Sequence, residues 1–152
     1  MKTITTFLLM LPALFLSAGC NETTGKTKEN KIIVMELTKE EFIKRVYDYE
    51  KNPSEWKYAG DKPSIVDFHA TWCAPCKMLA PTLEEVAKEF NDQIYVYKVD
   101  VDKEPELAAI FGVRSVPTLI WIPMEGNPSV SQGALPKNQL ESLVKSTLLK
   151  EE

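Results

Sequence analysis

Cys73 and Cys76 are the residues of this sequence best suited to chemistry, because their two thiols stand three positions apart in Cys73-Ala74-Pro75-Cys76. Such a pair can be half of a metal site, an incidental pair or a redox couple. A structural zinc site needs four Cys or His ligands, whereas the sequence has three cysteines and one histidine. One of those cysteines, Cys20, directly follows an N-terminal leader. We therefore expect no metal site, and a redox couple is the leading interpretation.

The position of the two thiols predicts different roles for them. Cys73 follows a short β-rich run and starts a stretch with helical periodicity. The unpaired N–H groups and the positive end of the dipole at a helix N-terminus stabilise a thiolate, so Cys73 is the expected nucleophile. Cys76 lies one turn further on the same face, where it can resolve a mixed disulfide formed at Cys73. Pro75 lacks an N–H at a position where that group has no helical partner, and it stiffens the loop.

The elements that position these thiols alternate between strand and helix, which predicts an α/β fold. We predict strands at 32–37, 65–70, 94–101, 118–122 and near Val130, and helices at 38–50, 73–90, 105–111 and from Pro136 onward. Thr38 and Glu41 form a capping box for the first helix. Turn-forming residues between the last two strands predict antiparallel pairing. A central sheet of about five strands, covered by helices on both faces, is expected.

Residues 1–19 have the layout of a secretory signal peptide. One charge at Lys2 is followed by an apolar stretch over 7–16 and by small residues directly before Cys20. That stretch is shorter than the roughly 20 residues of a membrane-spanning helix. Residues 16–20 resemble the lipobox of bacterial lipoproteins, whose cysteine is lipidated; the alternative is a plain signal peptide that leaves Cys20 an incidental thiol. The polar residues 20–31 predict a flexible tether before a domain at 32–152.

The composition fits one globular domain, and the leader predicts a location outside the cytoplasm. The chain has 152 residues, of which 44% are hydrophobic. Its 18 basic and 22 acidic residues give a formal net charge of −4, so we expect no nucleic-acid partner. A secretory leader directs the chain to the periplasm or cell envelope, where disulfides persist. A lipid on Cys20 would keep it at a membrane.

The sequence from about residue 63 to residue 149 resembles the thioredoxin family. The residues that carry the resemblance are Val66-Asp67-Phe68, Trp72-Cys73-Ala74-Pro75-Cys76-Lys77, Pro81, Val99-Asp100-Val101-Asp102, Gly112-Val113-Arg114-Ser115-Val116-Pro117-Thr118 and Gly133-Ala134-Leu135. The resemblance implies the thioredoxin fold, with a central mixed five-stranded sheet flanked by four helices. It also implies thiol–disulfide exchange with protein substrates through a Cys73–Cys76 redox disulfide, without a cofactor.

The resemblance assigns Asp67 and Lys98 to the redox site. Asp67 matches the family's buried acid beneath the two cysteines, and a carboxyl whose pKa is raised by burial can carry a proton to and from Cys76. The alternative for Asp67 is an aspartate at a strand edge that caps a turn. Lys98 matches the lysine beside this acid, and the alternative of a solvated strand lysine stays open.

Three further residues are assigned to substrate binding by the resemblance. Pro117 matches the cis-proline that faces the two sulfurs, and a cis turn would leave the Val116 backbone free to pair with an extended substrate. Trp72 would offer the same substrate an exposed apolar platform. The alternative for Trp72 is a core tryptophan.

The sequence departs from the family pattern at three places. Ala74 replaces the usual glycine, which leaves the redox potential open. His69 stands where the family usually has tryptophan; it is either an imidazolium that favours the Cys73 thiolate or a neutral side chain that fills the space. The region 52–63 is longer than a minimal thioredoxin needs, and it is either a surface for a specific partner or a packed loop.

The leading functional hypothesis is a monomeric thioredoxin, tethered to a membrane, that exchanges disulfides with secreted or periplasmic proteins. Reduction is the favoured direction, and the protein would need a membrane electron donor or acceptor. One alternative is an oxidase that forms disulfides, because direction depends on the reduction potential and on the redox partner. Another alternative is a redox-silent module that binds proteins through the surface around Trp72 and Pro117.

Overall fold

The computed structural model describes residues 34–151. In chain order the elements are β1 (Val34–Glu36), α1 (Lys39–Arg45), β2 (Ser64–His69), α2 (Ala74–Glu89), β3 (Tyr95–Asp100), α3 (Pro105–Ile110), β4 (Thr118–Ile122), β5 (Ser129–Gln132) and α4 (Lys137–Leu143), followed by a π-helical segment (Val144–Leu149). The predicted signal peptide, the tether and Cys20 lie outside the described residues. Within those residues, no helix has the length and apolarity needed to cross a membrane.

The five strands form one mixed sheet in the order β1-β3-β2-β4-β5. Strands β1 and β2 each pair in parallel with β3, whereas β4 pairs antiparallel with both β2 and β5. The predicted fold, a five-stranded mixed sheet with four helices, is confirmed. So is the antiparallel pairing of the last two strands.

Helices cover both faces of the sheet. Side chains alternate between the two faces along each strand, so each face has side chains for a helix to pack against. On one face, Ile65 of β2 packs in a core cluster with Leu79 of α2 and Leu140 of α4. On the other face, Val66 shares a cluster with Phe42 of α1, and the same cluster includes the buried residue of α3. Each such fully buried side chain contributes about 1.5–3 kcal/mol. By the same alternation, positions 67 and 69 of β2 lie on the face that α2 covers.

Helix α1 begins as predicted and ends earlier than predicted. The Thr38 capping box is present, but the helix ends at Arg45 rather than near Glu50. Tyr47 instead forms a β-bridge with Tyr58, and its hydroxyl donates a hydrogen bond to the carbonyl oxygen of Asn52 at 2.5 Å. These contacts with the following loop replace further helical turns.

The long loop between α1 and β2 packs against the domain. The Trp56 ring lies 4.5 Å from the Tyr47 ring and 6.4 Å from the Phe111 ring, measured between centroids. The Tyr58 hydroxyl donates to the carbonyl oxygen of Lys62 at 2.6 Å. These contacts favour a packed loop over a free partner surface.

The closing helix changes its winding partway along. Leu140, Val144 and Leu148 lie four residues apart and are buried, and Leu143 is half-buried. From Val144 the chain is π-helical. A four-residue spacing of apolar side chains predicts the buried face, but it does not distinguish a wider turn from an α-helical one.

Candidate active site

Cys73 and Cys76 form a disulfide at the start of α2, with an S–S distance of 2.03 Å and Cα atoms 5.3 Å apart. Cys73 is the N-cap residue of the helix, and its Sγ accepts a hydrogen bond from the backbone N–H of Cys76 at 3.2 Å. Both cysteines are buried. The exposed residues Ala74 and Pro75 lie between them and fill the first two helical positions. The predicted junction between strand and helix therefore holds the disulfide.

This location favours a thiolate once the disulfide is reduced. The N–H groups of the first helical turn have no partner within the helix, and the helix dipole is positive at this end. The Cys76 N–H already points at Cys73 Sγ. A negative charge on Cys73 would strengthen that hydrogen bond.

The loop before β4 faces Cys73. The Val116–Pro117 peptide is cis, as the resemblance implies, and Pro117 is buried. Cys73 Sγ lies 3.5 Å from the carbonyl oxygen of Val116. A disulfide sulfur has no proton to donate, so in this oxidised form the approach is a contact rather than a hydrogen bond.

Trp72 is 68% exposed beside the disulfide, so the core alternative for this tryptophan is wrong. Its indole Nε1–H donates to Oδ2 of Asp102 at 2.8 Å, which fixes the ring. A groove of about 190 Å³ runs between Trp72 and the loop before β4, where Arg114 and Val116 line it. The indole is thus an exposed apolar wall next to the reactive sulfurs.

Asp67 is fully buried in β2, on the sheet face that α2 covers. Neither carboxyl oxygen has a hydrogen-bond partner among the described residues. Burial raises the pKa of Asp67 to about 7, although the positive charge of Lys98 lowers it in part. Such a carboxyl exchanges its proton near neutral pH. The alternative of a turn-capping aspartate is wrong, because Asp67 lies inside the strand and caps nothing.

Lys98 is half-buried on β3 and stands in register with Asp67 on the neighbouring strand. Its charge acts on the pKa values of both Asp67 and His69. This placement favours a role coupled to the acid over a purely solvated lysine.

His69 is the last residue of β2 and is 9% exposed. Burial and the nearby charge of Lys98 lower its pKa below the usual 6.5. The side chain is therefore neutral at neutral pH, which disfavours the imidazolium interpretation. His69 lines a cavity together with Cys76 and Lys98.

Asp102 and Arg114 belong to the site although the sequence assigns them no role. Asp102 orients Trp72, and Arg114 lines the groove. Both lie in segments that carry the family resemblance. A further signal is that Asp102 follows the carboxyl end of a parallel strand, the edge at which functional residues of α/β sheets collect.

Within residues 34–151, no group of His, Cys, Asp and Glu side chains is arranged to hold a metal ion. The redox group that the structure shows is the disulfide of Cys73 and Cys76. The third cysteine, Cys20, is outside the described residues.

Comparison with known proteins places this site in a family. The thioredoxin family matches residues 33–146. The chain is 45% identical over 113 residues to the thioredoxin of Borreliella burgdorferi, covering 74% of this chain and 96% of that protein. It is 47% identical over 91 residues to the thioredoxin of Alicyclobacillus acidocaldarius, covering 59% and 85%. The crystal structure of a chloroplastic thioredoxin z superposes with a TM-score of 0.60 at 32% identity, covering 73% of this chain and 90% of that one.

These matches favour a redox protein over a redox-silent binding module. Thioredoxins reduce protein disulfides and need no cofactor, because the disulfide is the redox group. The disulfide between Cys73 and Cys76 is the active-site disulfide of a thiol–disulfide oxidoreductase. The fold, the site and the matches together show that this chain belongs to the thioredoxin family.

Proposed function

We propose that this thioredoxin acts outside the cytoplasm, where it reduces disulfides in secreted or periplasmic proteins while a lipid on Cys20 holds it at a membrane. The observation that carries the proposal is the leader over 1–19, which ends in small residues at Cys20. A flexible tether of about eleven residues would reach on the order of 18 Å, which would keep the domain close to the membrane. A membrane protein with a reactive dithiol is the proposed electron donor.

The reaction proceeds through a mixed disulfide. The Cys73 thiolate attacks one sulfur of the substrate disulfide, and the other substrate sulfur leaves as a thiolate that takes a proton. Cys76 then loses its proton and attacks Cys73 Sγ. The Cys73–Cys76 disulfide forms, and the second substrate sulfur is released and protonated. Two electrons pass to the substrate, and the donor dithiol returns them to the protein.

Asp67 is the proposed acceptor of the Cys76 proton. It lies on the sheet face under α2, and Cys76 is on the buried side of that helix with Leu79 and Leu83. With a pKa of about 7, half of the Asp67 carboxyl groups are ionised at neutral pH and able to accept a proton.

The substrate binds along the groove between Trp72 and the loop before β4. Among the described residues, the backbone N–H and C=O of Val116 make no backbone hydrogen bond. An extended substrate segment can therefore pair with this backbone, while the exposed Trp72 ring packs against its side chains. Recognition through main chain tolerates many substrate sequences.

Trapping of mixed disulfides tests the proposal in the cells that make this chain. With Cys76→Ser, the second step is blocked and substrates stay bonded to Cys73. We expect the trapped partners, identified by mass spectrometry, to be proteins with secretory signals. The matched control is Cys73→Ser, which should trap none of them. Partners drawn mainly from cytoplasmic proteins, or equal trapping by the two variants, would contradict the proposal.

An oxidase that forms disulfides is the second candidate, and one observation favours it. The Cys76 N–H donates to Cys73 Sγ, and an interaction that stabilises the thiolate stabilises the reduced protein. Stabilising the reduced form makes the couple more oxidising. The reduction potential separates the two candidates.

A further inference from the structure

His69 and Cys76 line the same cavity beside the disulfide. The cavity has a volume of about 270 Å³, and Thr71, Lys77 and Lys98 also line it. It is large enough for several water molecules. Cys76 therefore lines an open cavity that shares no lining residue with the groove beside Trp72.

The imidazole of His69 is placed to handle protons in this space. Its Nε2 is buried and has no hydrogen-bond partner among the described residues. His69 and Asp67 are two positions apart on β2, so both lie on the face that α2 covers. A buried polar atom without a partner is costly and needs an explanation. In the neutral tautomer with the proton on Nδ1, Nε2 has a free lone pair that can accept a proton.

The charged groups around His69 come from four elements. Lys98 and Asp100 lie on β3, Glu36 on β1 and Lys103 after β3, and each acts on the imidazole; Lys77 of α2 and Asp67 of β2 complete the set. Burial and Lys98 outweigh the two carboxylates, so the pKa of His69 is lowered. At pH 6.5 more than half of the His69 imidazole is therefore unprotonated, whereas most of Asp67 carries a proton.

We propose that His69 is a second proton acceptor for Cys76, alongside Asp67. The proton moves through the cavity that His69 and Cys76 share. This role rests on the proposed function, in which Cys76 resolves the mixed disulfide. The Cys76 proton passes to the imidazole across this cavity, which has room for a bridging water. The Cys76 thiolate attacks Cys73 Sγ, the substrate sulfur leaves, and the imidazolium returns its proton to solvent through the cavity mouth.

The resolving step can be observed directly with 5,5′-dithiobis(2-nitrobenzoate), a small disulfide whose thiolate product is coloured. Reduced protein attacks the reagent at Cys73 and releases one coloured thiolate. Attack by Cys76 then releases the second in a first-order phase that does not depend on reagent concentration. A free thiol at Cys20 would react in a concentration-dependent phase. Stopped-flow measurement over a range of pH gives the rate of the first-order phase.

We expect His69→Trp, which introduces the family residue, to slow this phase in a pH-dependent way. At about pH 6, one unit below the Asp67 pKa of about 7, about a tenth of Asp67 is ionised. Loss of the second acceptor should then slow the phase by up to roughly tenfold relative to the unmodified chain, in proportion to the fraction of His69 that is unprotonated. At about pH 8 Asp67 is ionised and the ratio should approach one. His69→Gln should show the same pattern, and it replaces the tryptophan variant in the measurement if that variant does not fold.

Two controls separate this role from a structural one. Ser64→Ala changes a buried polar residue at the other end of β2, and its ratio should stay near one throughout. A ratio for the His69 variants that does not change with pH would overturn the proposal, whether the variants are slower or not. In Cys76→Ser the first-order phase should vanish. If that phase persists, the role of Cys76 in the proposed function fails; if it vanishes and the His69 ratio is flat, only the His69 proposal fails.

Discussion

Asp67 and Lys98 stand in register on the parallel strands β2 and β3, with the acid fully buried and the lysine half-buried. They form no ion pair within the described chain, and the oxygens of Asp67 have no hydrogen-bond partner there. Burial therefore outweighs the attraction to Lys98, and the pKa of Asp67 is raised to about 7. The site keeps an acid that titrates near neutral pH. The charged form of this acid carries a free-energy cost in the folded protein.

That cost predicts a pH dependence of stability. In the folded chain Asp67 has a pKa of about 7, against 3.8 for an unperturbed aspartate. Between these values the folded state binds more protons than the unfolded state, so stability falls as pH rises toward 7 and the loss is complete above it. Three pKa units correspond to about 4 kcal/mol as an upper bound. Asp67→Asn should therefore raise the free energy of unfolding at pH 8 by a few kcal/mol, as measured in urea.

The matched control for this prediction is Glu84→Gln, which removes an acid from the exposed side of α2. It should leave the free energy of unfolding nearly unchanged. If Asp67→Asn stabilises the protein equally at pH 4 and pH 8, a charge penalty is not the cause, and the raised pKa is contradicted.

Trp72 and Met78 are equally exposed, at 68% and 67%, but only Trp72 lines the groove beside the disulfide. Trp72→Ala should lower kcat/KM for reduction of a protein disulfide by about tenfold, because it removes an aromatic anchor. The reaction of Cys73 with a small disulfide reagent should change little. Met78→Ala should affect neither. Equal losses in the two variants would show that general surface apolarity, and not the groove, recognises the substrate.

Trp56 tests whether the long loop before β2 is structural. Its ring packs against Tyr47 and Phe111, and the side chain is half-buried. Trp56→Ala should lower the free energy of unfolding by about 2–3 kcal/mol and leave disulfide reduction intact. Lys57→Ala, at an exposed neighbour, should do neither. A Trp56 variant with normal stability and poor activity on proteins would instead make the loop a partner surface.

Cys20→Ser tests the lipid anchor. The lipid is the membrane attachment that we propose, so this variant should move from the membrane fraction to the soluble fraction. Intact mass spectrometry of the unmodified chain should show acyl chains on Cys20. Retention of the variant in the membrane, or an unmodified Cys20, would contradict the anchor.

The sequence predicts local features of this protein better than it predicts long-range contacts. The capping box at Thr38, the Cys73 helix start and the strand at 118–122 depend on neighbouring residues, and the structure contains all three. The early end of α1 depends on the contact of Tyr47 with Tyr58, which periodicity cannot reveal.

The site shows the same division. The disulfide pair is local and can be found from its spacing. In contrast, the orientation of Trp72 by Asp102 joins residues 30 positions apart. The cavity shared by His69, Cys76 and Lys98 brings three elements together. Such contacts follow from the packing of α2 on the sheet.

Whether this chain acts as a reductase can be decided by the reduction potential of the Cys73–Cys76 disulfide. The purified protein is equilibrated with dithiothreitol or glutathione redox buffers, and the oxidised fraction is read by alkylation and mass spectrometry. We expect a potential near that of reducing thioredoxins, about −270 mV. A potential near that of a strong oxidase, about −120 mV, would shift the exchange equilibrium by about five orders of magnitude and contradict this expectation.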